Sequence, residues 1–167
     1  LPAESEVLHG NQQRSLTEPI YNVDNTVYGG KIKQLERNIT MTELKIGDKV
    51  TGIYKTGKYI GEITAVKPMH YLVKVLAVEK HPQQGDLHSP KDVDVPLFHE
   101  RKALAFREQT NIPKNMVKLY EGDILDYKES LVIALKKMEE KLKEENNNWA
   151  QRSLENIEIL KKDYKLN

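Results

Sequence analysis

Apolar and polar positions fall into a regular period from Lys45 onward. Gly47-Asp48 is a turn signal, and Lys49–Tyr54 (KVTGIY) then alternates with β-branched and aromatic residues. Thr56-Gly57-Lys58 is a short glycine-containing connection that suits a hairpin. Tyr59–Val66 continues as a second strand, with Ile60, Glu62, Thr64 and Val66 on one face and Tyr59, Gly61, Ile63 and Ala65 on the other. Lys67-Pro68 breaks it. Tyr71–Val78 (YLVKVLAV) is apolar on both faces apart from Lys74, which predicts an interior strand. Residues 80–96 hold Pro82, Gly85 and Pro90 and read as a long loop, with an edge strand at Val93–Val95. Arg101–Arg107 (RKALAFR) alternates again and is predicted to close the sheet, although the same residues suit a helix. Pro113 then opens a short helix over Lys114–Tyr120, and Gly122 ends it.

The period changes to that of a helix after residue 125. Asp126 is a good N-cap, and Glu129 stands three positions on, where a capping-box carboxylate belongs. Leu131, Leu135, Met138 and Leu142 make one apolar stripe. Asn146-Asn147-Asn148 breaks the helix and can cap the next, on which Trp149, Leu154, Ile157, Leu160 and Tyr164 form a second stripe. So short a connection implies an antiparallel pair. Neither stripe can stay in water, so the hairpin packs on the sheet, on itself or on a partner. Short strands with tight turns followed by two helices predict an α+β chain, a small barrel or sandwich with a helical appendage.

Residues 1–40 are different in kind: polar, with isolated apolar residues and no sustained period. Two readings stand. One is a flexible extension. In the other, the segment is upstream sequence translated conceptually, and the native chain starts at Met41. Glu36-Arg37 can be encoded by GAAAGG or GAGAGG, the purine-rich sequence a bacterial ribosome binds, and Asn38-Ile39-Thr40 then supplies a spacer of about nine nucleotides.

Composition narrows the chemistry. The absence of cysteine excludes disulfides, thiolate metal sites, a cysteine nucleophile and cysteine lipidation. The net charge is +1, with both signs interspersed, and basic pairs such as Lys136-Lys137 and Lys161-Lys162 lie beside acidic residues. Nucleic-acid binders usually carry a basic stripe, so none is expected as a partner. No apolar run approaches the roughly 18 residues of a membrane span, and no basic region followed by an apolar stretch marks a signal peptide.

His81, His88 and His99 flank the long loop, with Asp86 and Glu100 nearby. Converging imidazoles and carboxylates can hold zinc or move protons, but these spacings match no recurring ligand pattern, so no metal and no cofactor is assigned. No glycine-rich phosphate cradle exists, and Ser130 and Ser153 have no triad partners in view, so no catalytic residue is assigned either. Tyr54, Tyr59 and Tyr71 are candidates for an aromatic surface on the barrel; the plainer reading is that they pack it.

The strings VTGIYKTGKYIGEITAVKP, YLVKVLAVEKHPQQGDLH, VPLFHERKALAFREQTNIP and RSLENIEILKKDYKL, in that order, closely resemble the kinase-associated protein B family of spore-forming bacteria related to Bacillus. The resemblance runs from Met41 to Asn167 and is weakest over Glu139–Asn148. It implies an SH3-like barrel over residues 41–112 with a helical region, 113–167, packed on it. It also implies an accessory role: a protein needed for the activity or expression of a membrane sensor histidine kinase that feeds the sporulation phosphorelay. The family offers no catalytic residues to carry over. Some members have been labelled lipoproteins, whereas this chain has no cysteine to acylate.

The expected function is therefore binding to a sensor histidine kinase from the cytoplasm, at the inner membrane surface where that kinase sits, and not catalysis. Self-association is left open. The expected contact region is the long loop and the start of the closing strand: His81, Asp86, His88, Phe98, His99, Glu100 and Arg101. The rival readings are a nucleic-acid-binding SH3-like module and a small enzyme built on the loop histidines. The reading of residues 1–40 as untranslated makes its own prediction: N-terminal sequencing of the natively expressed protein returns Met41 as the first encoded residue, and an end upstream of Met41 establishes the extension instead.

Overall fold

Two tight connections set the topology. The computed structural model describes residues 43–86, 91–92, 94 and 98–166. Strand β1 (Lys49–Tyr54) turns through Lys55, whose φ of 52° places a non-glycine residue in the left-handed region, into β2 (Gly57–Val66). β2 turns at Pro68-Met69, closed by the Lys67 N–H to the His70 carbonyl at 2.9 Å, into β3 (His70–Lys80). All pairings are antiparallel, and β2–β3 carries three register shifts that bend the ladder. Two further strands complete the sheet in the order β4-β3-β2-β1-β5, with β4 at Gln109–Pro113 and β5 at Val117–Leu119. β4 and β5 are the two edges and do not pair, so the sheet curls without closing into a barrel.

The curl is driven by the alternating inner face. Val50, Ile63, Tyr71, Val73, Ile112 and Val117 are buried together inside it. Gly52 of β1 lets the curl tighten: a Cβ there would lie 2.5 Å from Ile112 Cδ1 of β4, so the isoleucine fills the space a side chain would need.

The closing strand differs from its expected place. Arg101–Ala105 is irregular, Phe106-Arg107 is a turn with Arg107 at φ 66°, and the strand follows as Gln109–Pro113. RKALAFR alternates because its backbone is extended and half-buried. The backbone groups of Arg101, Ala103 and Leu104, however, are met by side chains of other elements, and only Arg107, donating to the Val75 carbonyl at 2.7 Å, meets the backbone of β3. The expected helix over Lys114–Tyr120 also gives way. Pro113 starts only a single 3-10 turn, Lys114–Met116, and β5 then pairs with β1, Val117 opposite Gly52 and Leu119 opposite Val50. As a strand, β-branched Val117 reaches the core; a helix of these residues has no continuous apolar face to bury. The expected edge strand at Val93–Val95 falls on residues outside those described.

The helices match their predicted boundaries. Helix α1 spans Tyr127–Glu145, and the Asp126 carboxylate accepts from the backbone N–H groups of Lys128 and Glu129. Asn146 ends it in the left-handed conformation, and Asn147 caps α2 (Asn148–Asp163) by accepting from the Ala150 N–H at 2.7 Å. Leu131, Leu135 and Leu142 of α1 and Trp149, Ile157 and Leu160 of α2 are buried, Met138 and Leu154 partly so. Together with Tyr59, Val75 and Val78 of the sheet, most of them form a second core between sheet and helices.

One polar contact pins α1 to the sheet. The Ser130 hydroxyl donates to the Tyr127 carbonyl at 2.7 Å and accepts from the Val78 N–H of β3 at 2.9 Å, in a buried position. Ser130→Ala leaves that buried N–H without an acceptor and is expected to destabilise the fold by about 1–3 kcal/mol, read from urea unfolding at neutral pH. A change below the error of the method would mean that Val78 finds another acceptor.

Candidate functional site

The segments either side of the long loop are held by a buried polar junction. His81 is fully buried, and its Nδ1 lies 2.9 Å from the Pro82 carbonyl. A carbonyl only accepts, so Nδ1 carries the proton and Nε2 is left as an acceptor. The Tyr164 hydroxyl, at 3.0 Å, donates to Nε2 and itself accepts from the Ala103 N–H at 2.8 Å. The two rings meet edge-on, with centroids 6.0 Å apart. Next to this relay, the buried Gln84 side chain brackets the returning chain. Its amide donates to the Pro82 and Arg101 carbonyls at 3.1 and 3.0 Å, and its oxygen accepts from the Arg101 N–H at 2.8 Å. Leu104 is held in the same way: its N–H donates to Tyr59 Oη and its carbonyl accepts from Tyr127 Oη. Burial pushes the Tyr59 phenol up to about 12 and raises those of Tyr127 and Tyr164, so all three stay protonated at neutral pH.

This junction reassigns several predicted residues. His81 is a structural group rather than a contact residue: desolvation, partly offset by the hydrogen bond to Pro82, lowers its pKa to about 4, so it is neutral at physiological pH. Tyr59 and Tyr71 are core, in separate clusters, because their rings face the two interiors. The three-tyrosine surface is therefore not formed. Only Tyr54 is partly exposed, with Lys55 Nζ 5.4 Å from its ring centroid. His88 lies outside the described residues. Among the described residues no group of three or more His, Cys, Asp or Glu side chains could hold a metal ion.

The remaining predicted residues line an accessible strip. His99 and Glu100 are exposed; Phe98 and Arg101 are half-buried. The Arg152 guanidinium sits 5.1 Å from the Phe98 ring centroid, and Arg101 Nε donates to the Gly85 carbonyl at 3.0 Å. Asp86 is half-buried beside this turn. Glu100 and Arg101 also border an open cleft of about 300 Å3 walled by Tyr54, Lys55, Pro82, Lys102, Leu104 and Glu108, with the buried Tyr59 at its base. The structure thus brings Tyr54, Glu100 and Arg101 together, which the sequence kept apart as two separate proposals. It adds Lys55 and Lys102, which nothing in the sequence singled out.

The histidine makes stability depend on pH. An unfolded histidine titrates near 6.5, and in the fold His81 takes a proton only near pH 4. Between these values the unfolded chain holds a proton that the folded chain refuses. Stability therefore falls as pH drops through this window, by about 3 kcal/mol across it. Urea midpoints measured from pH 7 to pH 4 are expected to show this loss, and His81→Gln is expected to flatten that part of the profile. An unchanged profile in the variant would assign the acid sensitivity to other groups.

Comparison with known proteins places the chain. A family model described as kinase associated protein B matches residues 54–165. The chain is 60% identical over 124 residues to the kinase-associated lipoprotein B of Bacillus subtilis (strain 168), covering 74% of this chain and 97% of that protein. It also resembles the crystal structure of kinase-associated protein B from Bacillus cereus, at 56% identity and a TM-score of 0.65, over 73% of this chain and 98% of that one. The chain belongs to the kinase-associated protein B family.

Proposed function

We propose that this protein is an accessory regulator of a sporulation sensor histidine kinase, feeding the phosphorelay, and that it acts by binding rather than by chemistry. The family name supports a kinase partner, and it names an association rather than a reaction. The observation that carries the binding reading is the cleft that joins Tyr54 and Lys55 to Glu100, Arg101 and Lys102. It is a mixed-charge surface beside a partly exposed aromatic ring, on backbone held rigidly from below by the His81–Tyr164 and Gln84 hydrogen bonds.

Binding changes kinase activity only if affinity differs between kinase conformations, so the mechanism is a population shift. Phe98, His99 and Glu100 extend the contact strip along the returning chain, with Asp86 at its margin. The proposed place of action is the cytoplasmic face of the membrane, where a membrane kinase presents its soluble domains. Among the described residues no helix is long and apolar enough to cross a membrane, so on this reading the kinase provides the attachment.

The test reverses charge across the cleft at two exposed residues. Lys55→Glu with Glu100→Lys is expected to lower kinase-dependent sporulation by about tenfold and to weaken crosslinking to the kinase in sporulating cells. The thermal unfolding midpoint is expected to stay within a few degrees, since exposed charges contribute little to stability. Unchanged sporulation and unchanged crosslinking with a folded variant would exclude this cleft as the contact site.

A further inference from the structure

A second cleft opens at another margin of the same sheet–helix core, between the end of β3, one face of α1 and the start of α2. Its volume is about 140 Å3, and its apolar lining is Ala134, Met138, Leu142 and the indole of Trp149. The segment after β3 contributes to both clefts: Pro82 to the first, His81 and Gln83 to this one. An apolar cavity of about 150 Å3 holds a benzene ring, whereas sites for nucleotide- or drug-sized ligands run from about 300 Å3 upward. The space fits one apolar side chain.

The charges around the opening are not balanced. Glu79 is paired with Lys58 at 3.0 Å and Glu145 with Lys91 at 3.2 Å. Lys80, Lys137 and Lys141 also line the cleft, and none of them makes an ion pair among the described residues. Lys137 and Lys141 stand four residues apart on α1, so their side chains are neighbours on one face, with Cβ atoms about 6 Å apart. Cations spread around a small apolar opening match several carboxylates flanking one apolar group, better than they match a single head group on a long chain.

We propose that this cleft receives one leucine- or phenylalanine-sized side chain carried on an acidic segment of a partner protein, whose carboxylates pair with Lys80, Lys137 and Lys141. The inference goes beyond the kinase reading: it concerns a different cleft and holds whichever protein carries the segment. The anchor supplies affinity by filling the apolar space, and the lysine rim supplies selection and encounter rate.

Trp149 is the only tryptophan of the chain and lines the cleft, so its fluorescence reports occupancy. The probe is a short capped peptide of aspartate and glutamate around one central phenylalanine, titrated into the full chain. Saturable binding with a Kd of roughly 10–100 μM, a change in tryptophan emission, and weakening with added salt are expected. Replacing the central phenylalanine by alanine is expected to weaken binding by about tenfold or more. The same loss is expected for Lys137→Glu with Lys141→Glu, two exposed positions whose variant is checked for folding by thermal unfolding. Equal binding of the alanine-centred peptide, no emission change at saturating peptide, or indifference to the lysine reversal would overturn the proposal. So would binding to vesicles of anionic phospholipid that the lysine reversal abolishes while the peptide does not bind, since that pattern assigns the lysines to a membrane surface.

Discussion

A neutral imidazole sealed beneath a tyrosine hydroxyl is the contact on which the rest of this fold depends. The chain returning from the long loop, residues 99–105, runs past the core without a strand partner. Its polar backbone groups still require partners, because an unpaired buried amide costs more than a made hydrogen bond returns. For Arg101, Ala103 and Leu104 those partners are side chains from four places in the sequence: Tyr59 in β2, Gln84 after β3, Tyr127 at the start of α1 and Tyr164 after α2, while the His99 carbonyl accepts from the Gly85 N–H and Ala105 is met by Glu108. His81 completes the set by accepting from the same Tyr164 hydroxyl that accepts from Ala103. Sheet, loop and helices are thereby tied at one point, and both clefts are built on the segments it fixes.

The two cores divide the labour. The curled inner face of the sheet buries one apolar set without help from the helices, and the second set joins the sheet to the helical hairpin. Both clefts lie at the margins of the second core, where side chains from elements distant in sequence meet and leave space between them. Such margins combine a rigid floor with exposed charge, which is what selective docking needs.

Much of this architecture was legible in the sequence, and the parts that were not share a cause. β1 to β3 and both helices follow from local periodicity, turn glycine and asparagine caps, which act over a few residues. The closing strand was displaced because alternation in RKALAFR reports an extended, half-buried backbone without saying what satisfies it. β5 was hidden because three residues after a proline carry little period, and only the opposite strand, with Gly52 and Val50, gives Val117 and Leu119 a place. His81 reads in sequence as a loop histidine. Its burial depends on Tyr164, 83 residues away, and no local signal encodes that separation. The family itself was plain from long matching strings, but the clefts were not, since Tyr54 meets Glu100 and Lys80 meets Lys141 only through the tertiary fold.

The open sheet also limits how a partner can attach. Among the described residues the sheet has two unpaired sides, and such sides ordinarily invite a foreign strand to add its backbone to the ladder. Here one side offers the three residues Val117–Leu119, and the other offers five that run into Pro113, which has no amide hydrogen to give. The first is very short and the second is closed at one end by a proline, both features that disfavour strand addition. On the proposed binding role, recognition rests on side chains and shape rather than on an added strand.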